Sequence, residues 1–168
     1  MKYYFLDTEF NEDGDVIDLI SIGVVSEDNH EFYRISTDFE PYNCNNFVQV
    51  NVLPNLGSGV WANNGKIRRD LCDFLGINIH QVTGEKIQFV GYYADYDHVV
   101  LAQLFGRMVD MPRDISYFTL DIKQEAFFKD VDLKKAVGEN DSHNALEDAK
   151  WNKKAWDYLR LNFGKEYK

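Results

Sequence analysis

The sequence predicts an α/β protein in which helices flank an open central sheet. Three apolar runs near the N-terminus, residues 2–10, 16–26 and 31–36, have the length and composition of strands and are separated by polar turns. Later apolar runs alternate with segments of helical periodicity. Because the chain has 168 residues, 45% of them hydrophobic and 15% aromatic, it can bury a core, and we expect one domain over residues 1–168.

The first strand ends in two carboxylates that share a face. Side chains alternate along a strand, so Asp7 and Glu9 project to the same side as Phe5. Their Cα atoms lie roughly 6 to 7 Å apart, which allows both to reach one cation or two neighbouring cations. Unpaired carboxylates beside an apolar run resist burial, and a divalent cation removes that conflict. The alternative is a surface strand that becomes polar before a turn.

The turn at residues 12–15 contains Gly14 and predicts a hairpin between the first two strands. The third apolar run, residues 31–36, adds a strand to this hairpin, so three antiparallel strands are predicted. Residues 37–64 follow as a long irregular connection, for which a functional role, a dimer contact and simple packing all stay open. Trp61 in this connection is predicted to be a core residue rather than a stacking platform.

Helices and strands alternate in the middle of the chain. An amphipathic pattern predicts a helix over residues 66–74 that ends at Gly76. Residues 86–92 are typical of a strand, and residues 99–105 of a helix that ends at Gly106. The residues expected to face inward from the first helix are Ile67, Leu71, Phe74 and Leu75.

Asp97 lies where the predicted strand passes into the predicted helix, a place where α/β sheets often carry ligand-contacting groups. Asp95 is the rival carboxylate and an alternative cap for the helix. Residues 118–122 then predict a last short strand, and residues 123–128 a short helix with Asp121 as its expected cap.

The C-terminal helix carries a carboxylate on its apolar side. At about 100° per residue, Asp148 lies angularly close to the apolar set rather than to the charged residues of the opposite face. A carboxylate in that position requires a cation or several hydrogen-bond donors. The apolar side consists of Ala145, Ala149, Asn152, Ala155, Trp156 and Leu159.

His143 lies about 140° from Asp148 around an ideal helix, so the two do not share a face if both are helical. We therefore expect His143 to follow the polar loop 139–142, with Ser142 or Asn144 as the helix cap. A histidine in a loop suits proton transfer better than rigid metal ligation. The alternative is an ordinary surface or capping histidine.

Three motifs in order resemble those of the DEDDh 3′-5′ exonuclease superfamily. They are Asp-x-Glu at 7–9, the pair Tyr96-Asp97, and a late His-x-Ala-x-x-Asp formed by His143, Ala145 and Asp148. The Tyr-Asp context favours Asp97 over Asp95. A closer resemblance is to the small bacterial exoribonuclease family first recognised in mycobacteria. It is carried by the runs DTEF at 7–10, EDG at 12–14, LISIGVV at 19–25, VLP at 52–54 and YDHV at 96–99.

The resemblance implies a ribonuclease H-like fold, with three antiparallel strands followed by parallel strands. It also implies a 3′-5′ exoribonuclease that releases 5′-mononucleotides, with His143 as general base, Thr8 and Phe10 as substrate contacts, and a homodimer. Many superfamily members carry Asn a few residues before the second aspartate. Here Tyr92, Tyr93 and Ala94 stand there, which leaves that substrate contact unassigned. The implied ligands of two Mg²⁺ or Mn²⁺ ions are Asp7, Glu9, Asp97 and Asp148.

The net charge of −10 disfavours a long electrostatic track for nucleic acid, since affinity for phosphates normally comes from Lys and Arg. We therefore expect recognition of a 3′ end through metals, stacking and sugar contacts. The alternative is an acidic protein that binds no nucleic acid. No stretch approaches a membrane span or a signal peptide, and Cys44 and Cys72 form no zinc pattern, so a cytoplasmic location is expected.

Two other functions stay open at this level. One is a non-catalytic ribonuclease H-like module that binds an RNA end or a protein partner, and the other is a 3′-5′ DNA exonuclease. The choice between RNA and DNA depends on pocket geometry around the 2′-hydroxyl, which sequence patterns do not report.

Overall fold

The computed structural model describes residues 1–139 and 142–164. Over this range, one mixed six-stranded sheet is flanked by helices. The strands are β1 (Lys2–Glu12), β2 (Ile17–Ser26), β3 (Glu31–Ser36), β4 (Val60–Ala62), β5 (Ile87–Gly91) and β6 (Leu120–Asp121). The α-helices are α1 (Asn64–Leu75), α2 (Asp95–Phe105), α3 (Ile122–Phe128), α4 (Leu133–Val137) and α5 (Ala145–Phe163).

The order of strands in the sheet is β4-β3-β2-β1-β5-β6. The pairs β1–β2 and β2–β3 are antiparallel, whereas β3–β4, β1–β5 and β5–β6 are parallel. The predicted class, three antiparallel strands followed by parallel strands with flanking helices, is therefore confirmed. β4 is an additional edge strand that was not expected within residues 37–64.

β1 is the central strand, and its second half is paired with a neighbouring strand on one side only. Its pairing with β5 covers only Lys2 to Phe5, which lie opposite Ile87 to Val90. On its other side, β1 pairs with β2 along almost its whole length, with an irregularity between Glu9 and Phe10. Bulges of this kind re-aim side chains and are common beside active sites. The second half of β1 therefore emerges at the carboxyl end of the parallel strands, where α2 begins.

The helix ends follow their local sequence. The Asn63 side chain accepts a hydrogen bond from Lys66 N at the start of α1, and Gly76 ends the helix with φ of 68°, a conformation that costs a glycine little. Ile67, Leu71 and Leu75 face the core as expected, and Phe74 packs partly buried against it. The predicted inward face of α1 is confirmed.

α2 begins at Asp95, several residues before the predicted start at 99. Its N-cap residue is Ala94, which has no capping side chain, so Asp95 does not cap the helix. Asp121 instead accepts hydrogen bonds from Ala94 N and from Gln124 N, both at 2.8 Å. The predicted capping of α3 by Asp121 is thus confirmed, and the same carboxylate also fixes the start of α2.

Residues 37–64 contain short helical turns at Pro41–Asn43, Val48–Val52 and Leu53–Asn55 before β4. Their apolar side chains form a separate small core against β2 and β3. The prediction that Trp61 lies in the core is wrong: the residue is 53% exposed. Because side chains alternate along β4, the burial of the next residue, Ala62, turns the Trp61 side chain outward at the sheet edge.

α5 packs across β1 and β2 through its predicted apolar side, and the residues of that side are all buried. The Asn152 side chain donates a hydrogen bond of 2.8 Å to Leu6 O and fixes the helix against β1. No helix in the described part of the chain is both long enough and apolar enough to cross a bilayer.

Candidate active site

Three carboxylates converge where β1 meets the first turn of α5. Each of Asp7, Glu9 and Asp148 offers an oxygen, and these oxygens all lie within 4.8 Å of one another. The two β1 residues share a face, as their spacing predicted, and Asp148 is buried on α5. The side chain of Ser142 donates a hydrogen bond to Asp148 Oδ1. Carboxylate oxygens at this separation suit a hard divalent cation such as Mg²⁺ or Mn²⁺.

Gly23 allows α5 to approach the sheet closely enough to bring Asp148 to this cluster. It lies directly opposite Asp7 on β2, and the first turn of α5 rests on it. A Cβ atom at Gly23 would lie 2.2 Å from Ala145 O, far inside van der Waals contact. The absence of a side chain at one residue of β2 therefore sets the distance between the two halves of the carboxylate cluster.

Asp97 is held against β1 beside this cluster. It lies buried in the first turn of α2, and its Oδ1 accepts hydrogen bonds from Thr8 N at 2.8 Å and Thr8 Oγ1 at 2.6 Å. The Thr8 side chain is itself buried, so its hydroxyl serves Asp97 in this structure. Its predicted contact with substrate stays a prediction.

The four carboxylates form one electrostatic unit. Burial raises the pKa of Asp7 well above its usual value, and the charges of Asp97, Asp148 and Glu9 raise it further. Burial, followed by the charges of Asp148 and Asp97, raises the pKa of Glu9 to about 8. Burial raises the pKa of Asp97 to about 7, although both hydrogen bonds from Thr8 oppose the shift. A bound dication would favour the ionised forms of all four groups.

We expect the stability of the metal-free protein to fall as the pH rises. The unfolded carboxyl groups ionise near their usual values, 4.5 for glutamate and 3.8 for aspartate, whereas Glu9 and Asp97 in the folded protein keep their protons to about 8 and about 7. At pH values between the unfolded and the folded pKa of each group, the folded state binds more protons than the unfolded state. The free energy of unfolding therefore decreases as the pH rises. One unit of pKa shift corresponds to about 1.4 kcal/mol.

Urea unfolding in chelator, from about pH 5 to about pH 9, measures this dependence. The decrease should exceed about 1.4 kcal/mol and should be smaller in Glu9→Gln, which removes one of the titrating groups. Added Mg²⁺ should restore stability most strongly at the alkaline end. A free energy of unfolding that is constant or rises with pH would contradict the expectation.

His143 lies in the turn before α5, as expected. Its backbone is left-handed, with φ of 47°, and its ring packs edge-on against Phe47 at 5.4 Å. Asn144 caps α5 by accepting hydrogen bonds from Leu146 N and Glu147 N, which confirms one of the two expected caps. Residues 140 and 141 of the predicted loop lie outside the described residues.

The segment 37–64 contacts the histidine turn in two ways. Phe47 packs against the His143 ring, and Asn55 O accepts a hydrogen bond of 2.8 Å from Asn144 Nδ2. The same segment is anchored to β1, because the Asn11 side chain accepts a hydrogen bond of 2.8 Å from Asn45 N. Phe47 and Asn55 carry no motif of their own, and sequence reasoning missed both.

Phe10 joins the first motif to the second. Its ring stacks on Tyr96 with centroids 5.3 Å apart and planes 5° from parallel. Tyr96 is half exposed and Phe10 partly exposed, so the pair presents aromatic surface beside the carboxylates. Such surface can stack on a base, which supports the predicted role of Phe10 without testing it.

Comparison with known proteins gives one family and one fold. The family model described as the 3′-5′ exoribonuclease Rv2179c-like domain matches residues 2–160. Two proteins of Mycobacterium tuberculosis, named 3′-5′ exoribonuclease MT2234.1 (strain CDC 1551 / Oshkosh) and 3′-5′ exoribonuclease Rv2179c (strain ATCC 25618 / H37Rv), are each 43% identical over 124 residues. The aligned region covers 72% of this chain and 71% of each relative.

Among solved structures, the Neurospora crassa Pan2 catalytic unit, which contains a protease and a nuclease domain, superposes with a TM-score of 0.56. The match covers 97% of this chain but only 27% of the Pan2 chain, at 14% identity. At that identity the similarity concerns the fold, which is the ribonuclease H-like one that the sequence resemblance implied.

Proposed function

The chain belongs to the 3′-5′ exoribonuclease Rv2179c-like domain family, and from that premise we propose that it removes mononucleotides from the 3′ end of RNA with two Mg²⁺ or Mn²⁺ ions. The observation that carries the proposal is the convergence of Asp7, Glu9 and Asp148 beside Asp97. The M. tuberculosis relatives are named for this activity. We further propose a cytoplasmic homodimer, for which light scattering of the purified protein is the direct test of oligomeric state.

Each residue of the site has a separate task in this proposal. Asp7, Glu9, Asp97 and Asp148 would hold the ions, which when bound lower the pKa of water and stabilise the charge on phosphate and leaving oxygen. Thr8 orients Asp97 through its two hydrogen bonds. His143 takes the proton of the water that attacks the terminal phosphorus. The bond from phosphorus to the 3′ oxygen of the preceding nucleotide then breaks, this oxygen takes a proton from solvent to become the new 3′-hydroxyl, and a 5′-mononucleotide leaves.

The acidic charge of the protein limits what it can bind. With a net charge of −10, long-range attraction of a polyanion is weak, so the affinity must come from groups close to the scissile end. Neutralisation of the four carboxylates by two dications removes part of the repulsion. The Phe10–Tyr96 stack offers uncharged contact area for a base. These features favour a short, unpaired 3′ end as substrate.

The test is degradation of matched RNA and DNA oligonucleotides, each with a free or a blocked 3′ end, in Mg²⁺ or Mn²⁺. We expect stepwise shortening of RNA with a free 3′ end, release of 5′-mononucleotides and no reaction in excess chelator. Full activity in chelator would refute the two-metal proposal. Faster degradation of DNA would assign the protein as a DNA exonuclease, and no shortening of any substrate would support a non-catalytic binding module.

His143→Ala is expected to lower kcat by about 10²- to 10⁴-fold, the usual contribution of a general base. The affinity for Mn²⁺, measured by calorimetry, should change little because the proposal assigns His143 to proton transfer and leaves metal binding to the four carboxylates. His30→Ala is the matched control, since that histidine is exposed and pairs with Asp28 in the β2–β3 turn. Equal losses of kcat and Mn²⁺ affinity in His143→Ala would instead make His143 a ligand.

Asn144→Asp is expected to lower kcat by about tenfold or more while the stability changes little. Asp caps a helix as well as Asn does, but it cannot donate the hydrogen bond to Asn55 O that ties the segment 37–64 to the His143 turn. Small displacements of a reacting group cost rates of this size. Asn144→Ser keeps a neutral cap and lacks the same donor, so it should share the loss; wild-type kcat in both variants would contradict this role.

A further inference from the structure

An open depression follows the end of β5 and is lined by none of the four carboxylates of the proposed active site. It has a volume of about 530 Å³ and is formed by the loop after β5 together with α3 and the start of α4. Aromatic and basic side chains contribute to its wall. Among these are Tyr92, Tyr93, Phe127, Lys123 and Lys134.

This depression opens at the same edge of the sheet as the proposed active site. Phe5 on β1 pairs with Val90 on the parallel strand β5. Asp7 lies two residues beyond Phe5 on β1, and Tyr93 lies in the turn that follows β5, which ends at Gly91. Asp97 follows Tyr93 by four residues at the start of α2. The depression and the proposed active site therefore both lie where β1 and β5 reach the same edge of the sheet.

Tyr93 is held in an unusual conformation that presents its ring to solvent. Its φ is 55°, in the left-handed region that residues other than glycine rarely adopt, and it is 63% exposed. Its ring packs against Tyr92 at 4.6 Å, and Tyr92 packs against Trp151 at 5.1 Å. Trp151 lies about one helical turn after Asp148 on α5. Backbone strain at an exposed aromatic residue beside a reactive site is typical of a functional position.

A cation lies over the exposed ring. Lys123 Nζ is 6.0 Å from the centroid of Tyr93, close enough for a cation–π interaction. Two acidic residues, Asp130 and Asp132, also line the wall, and the pairing of Asp132 with Lys135 at 3.0 Å reduces its repulsion of an anion. In a protein with a net charge of −10, a lysine placed over an aromatic ring offers both contacts that a nucleotide requires, a stacking surface for the base and a positive charge for the phosphate.

We propose that Tyr93 and Lys123 bind a nucleotide of the RNA that lies 5′ of the two nucleotides joined by the scissile bond. The Lys123 ammonium moves from the Tyr93 ring to the neighbouring phosphate, and the base stacks on the ring face that it leaves. The inference rests on the proposed function and deepens it, because it makes the site prefer substrates longer than a dinucleotide.

The experiment compares a 5′-labelled RNA dinucleotide with a longer RNA of the same 3′ sequence. Tyr93→Asn removes the ring and keeps a residue type that tolerates the left-handed backbone. It should raise KM for the longer RNA by about tenfold or more, the loss of one stacked base, and leave the dinucleotide kinetics unchanged. Tyr93→Phe should behave as wild type. Phe128→Ala is the matched control, because that aromatic residue is exposed on α3 outside the depression.

Lys123→Gln supplies a second, independent measurement. It should raise KM for the longer RNA and make its dependence on salt concentration less steep, since one phosphate contact is lost. An unchanged KM for the longer RNA in both variants, or equal losses on dinucleotide and longer RNA, would overturn the proposal. If wild-type protein shortens neither RNA, the proposed function itself fails, and this outcome is distinct from the other two.

Discussion

Replacing Asp7 by Asn is expected to abolish 3′-end trimming and, in the absence of metal, to stabilise the fold. Groups that only support metal ligands contribute about 10- to 100-fold, so loss of a ligand at the centre of the cluster should lower kcat/KM by more than about 100-fold. Burial and the charges of Asp97, Asp148 and Glu9 raise the pKa of Asp7 strongly, so its ionised form is unfavourable without a cation. An amide removes that charge and much of the repulsion.

Two measurements separate these effects. Trimming of RNA with a free 3′ end reports the loss of activity, and urea unfolding at pH 8 in chelator reports the gain in stability. Mg²⁺ should stabilise the wild type and have little effect on Asp7→Asn. Asp15→Asn, at an exposed residue of the β1–β2 turn, is the matched control and should change neither result. Wild-type trimming by Asp7→Asn, or a metal-free variant less stable than wild type, would refute the assignment.

Gly23→Ala is expected to damage the site although the residue carries no chemistry. A Cβ atom there would lie 2.2 Å from Ala145 O and 2.3 Å from Ala145 C, so the first turn of α5 must move away from β2. Overpacking of this kind costs about 1 to 3 kcal/mol of stability. Asp148 lies in the displaced turn, so its carboxylate oxygen moves away from those of Asp7 and Glu9. We expect kcat/KM to fall by about 100-fold, in line with a misplacement of about 1 Å.

Gly65→Ala is the matched control for this change. The Cβ atom of that variant would meet its nearest neighbour, Asn63 Oδ1, at 3.5 Å, which is ordinary contact, and alanine is favoured over glycine within a helix. Thermal unfolding should therefore show a loss of stability, and Mn²⁺ titration a loss of affinity, in Gly23→Ala but not in Gly65→Ala. Unaltered Mn²⁺ affinity and trimming in Gly23→Ala would show that α5 does not depend on this close approach.

The elements that sequence periodicity predicted are those whose signals are local. The β1–β2 hairpin follows from a polar turn in which the Asp13 side chain accepts hydrogen bonds from Asp15 N and Val16 N. The end of α1 follows from a glycine that adopts a left-handed conformation. The burial of Asp148 follows from its angular position on α5. In each case the deciding residues lie within a few positions of one another.

Errors arose where neighbours in space decided the outcome. β4 has only three residues, and its pairing with β3 cannot be inferred from so short a run, so Trp61 was placed in the core instead of at the sheet edge. α2 began earlier than predicted because the amide of its N-cap residue, Ala94, donates a hydrogen bond to Asp121, twenty-seven residues further along the chain. Neither contact leaves a periodic pattern in the sequence.

For the candidate site, the sequence by itself determined the order of the three acidic motifs, the shared face of Asp7 and Glu9, the burial of Asp148 and the place of His143 before the helix. Only the tertiary structure decided how these groups are held. Thr8 binds Asp97 across 89 positions, Asn144 binds Asn55 across the same separation, and Gly23 admits α5. The physical reason is that composition and period record which side chains are buried or charged, whereas hydrogen bonds and close contacts between distant segments arise only when the sheet and helices pack.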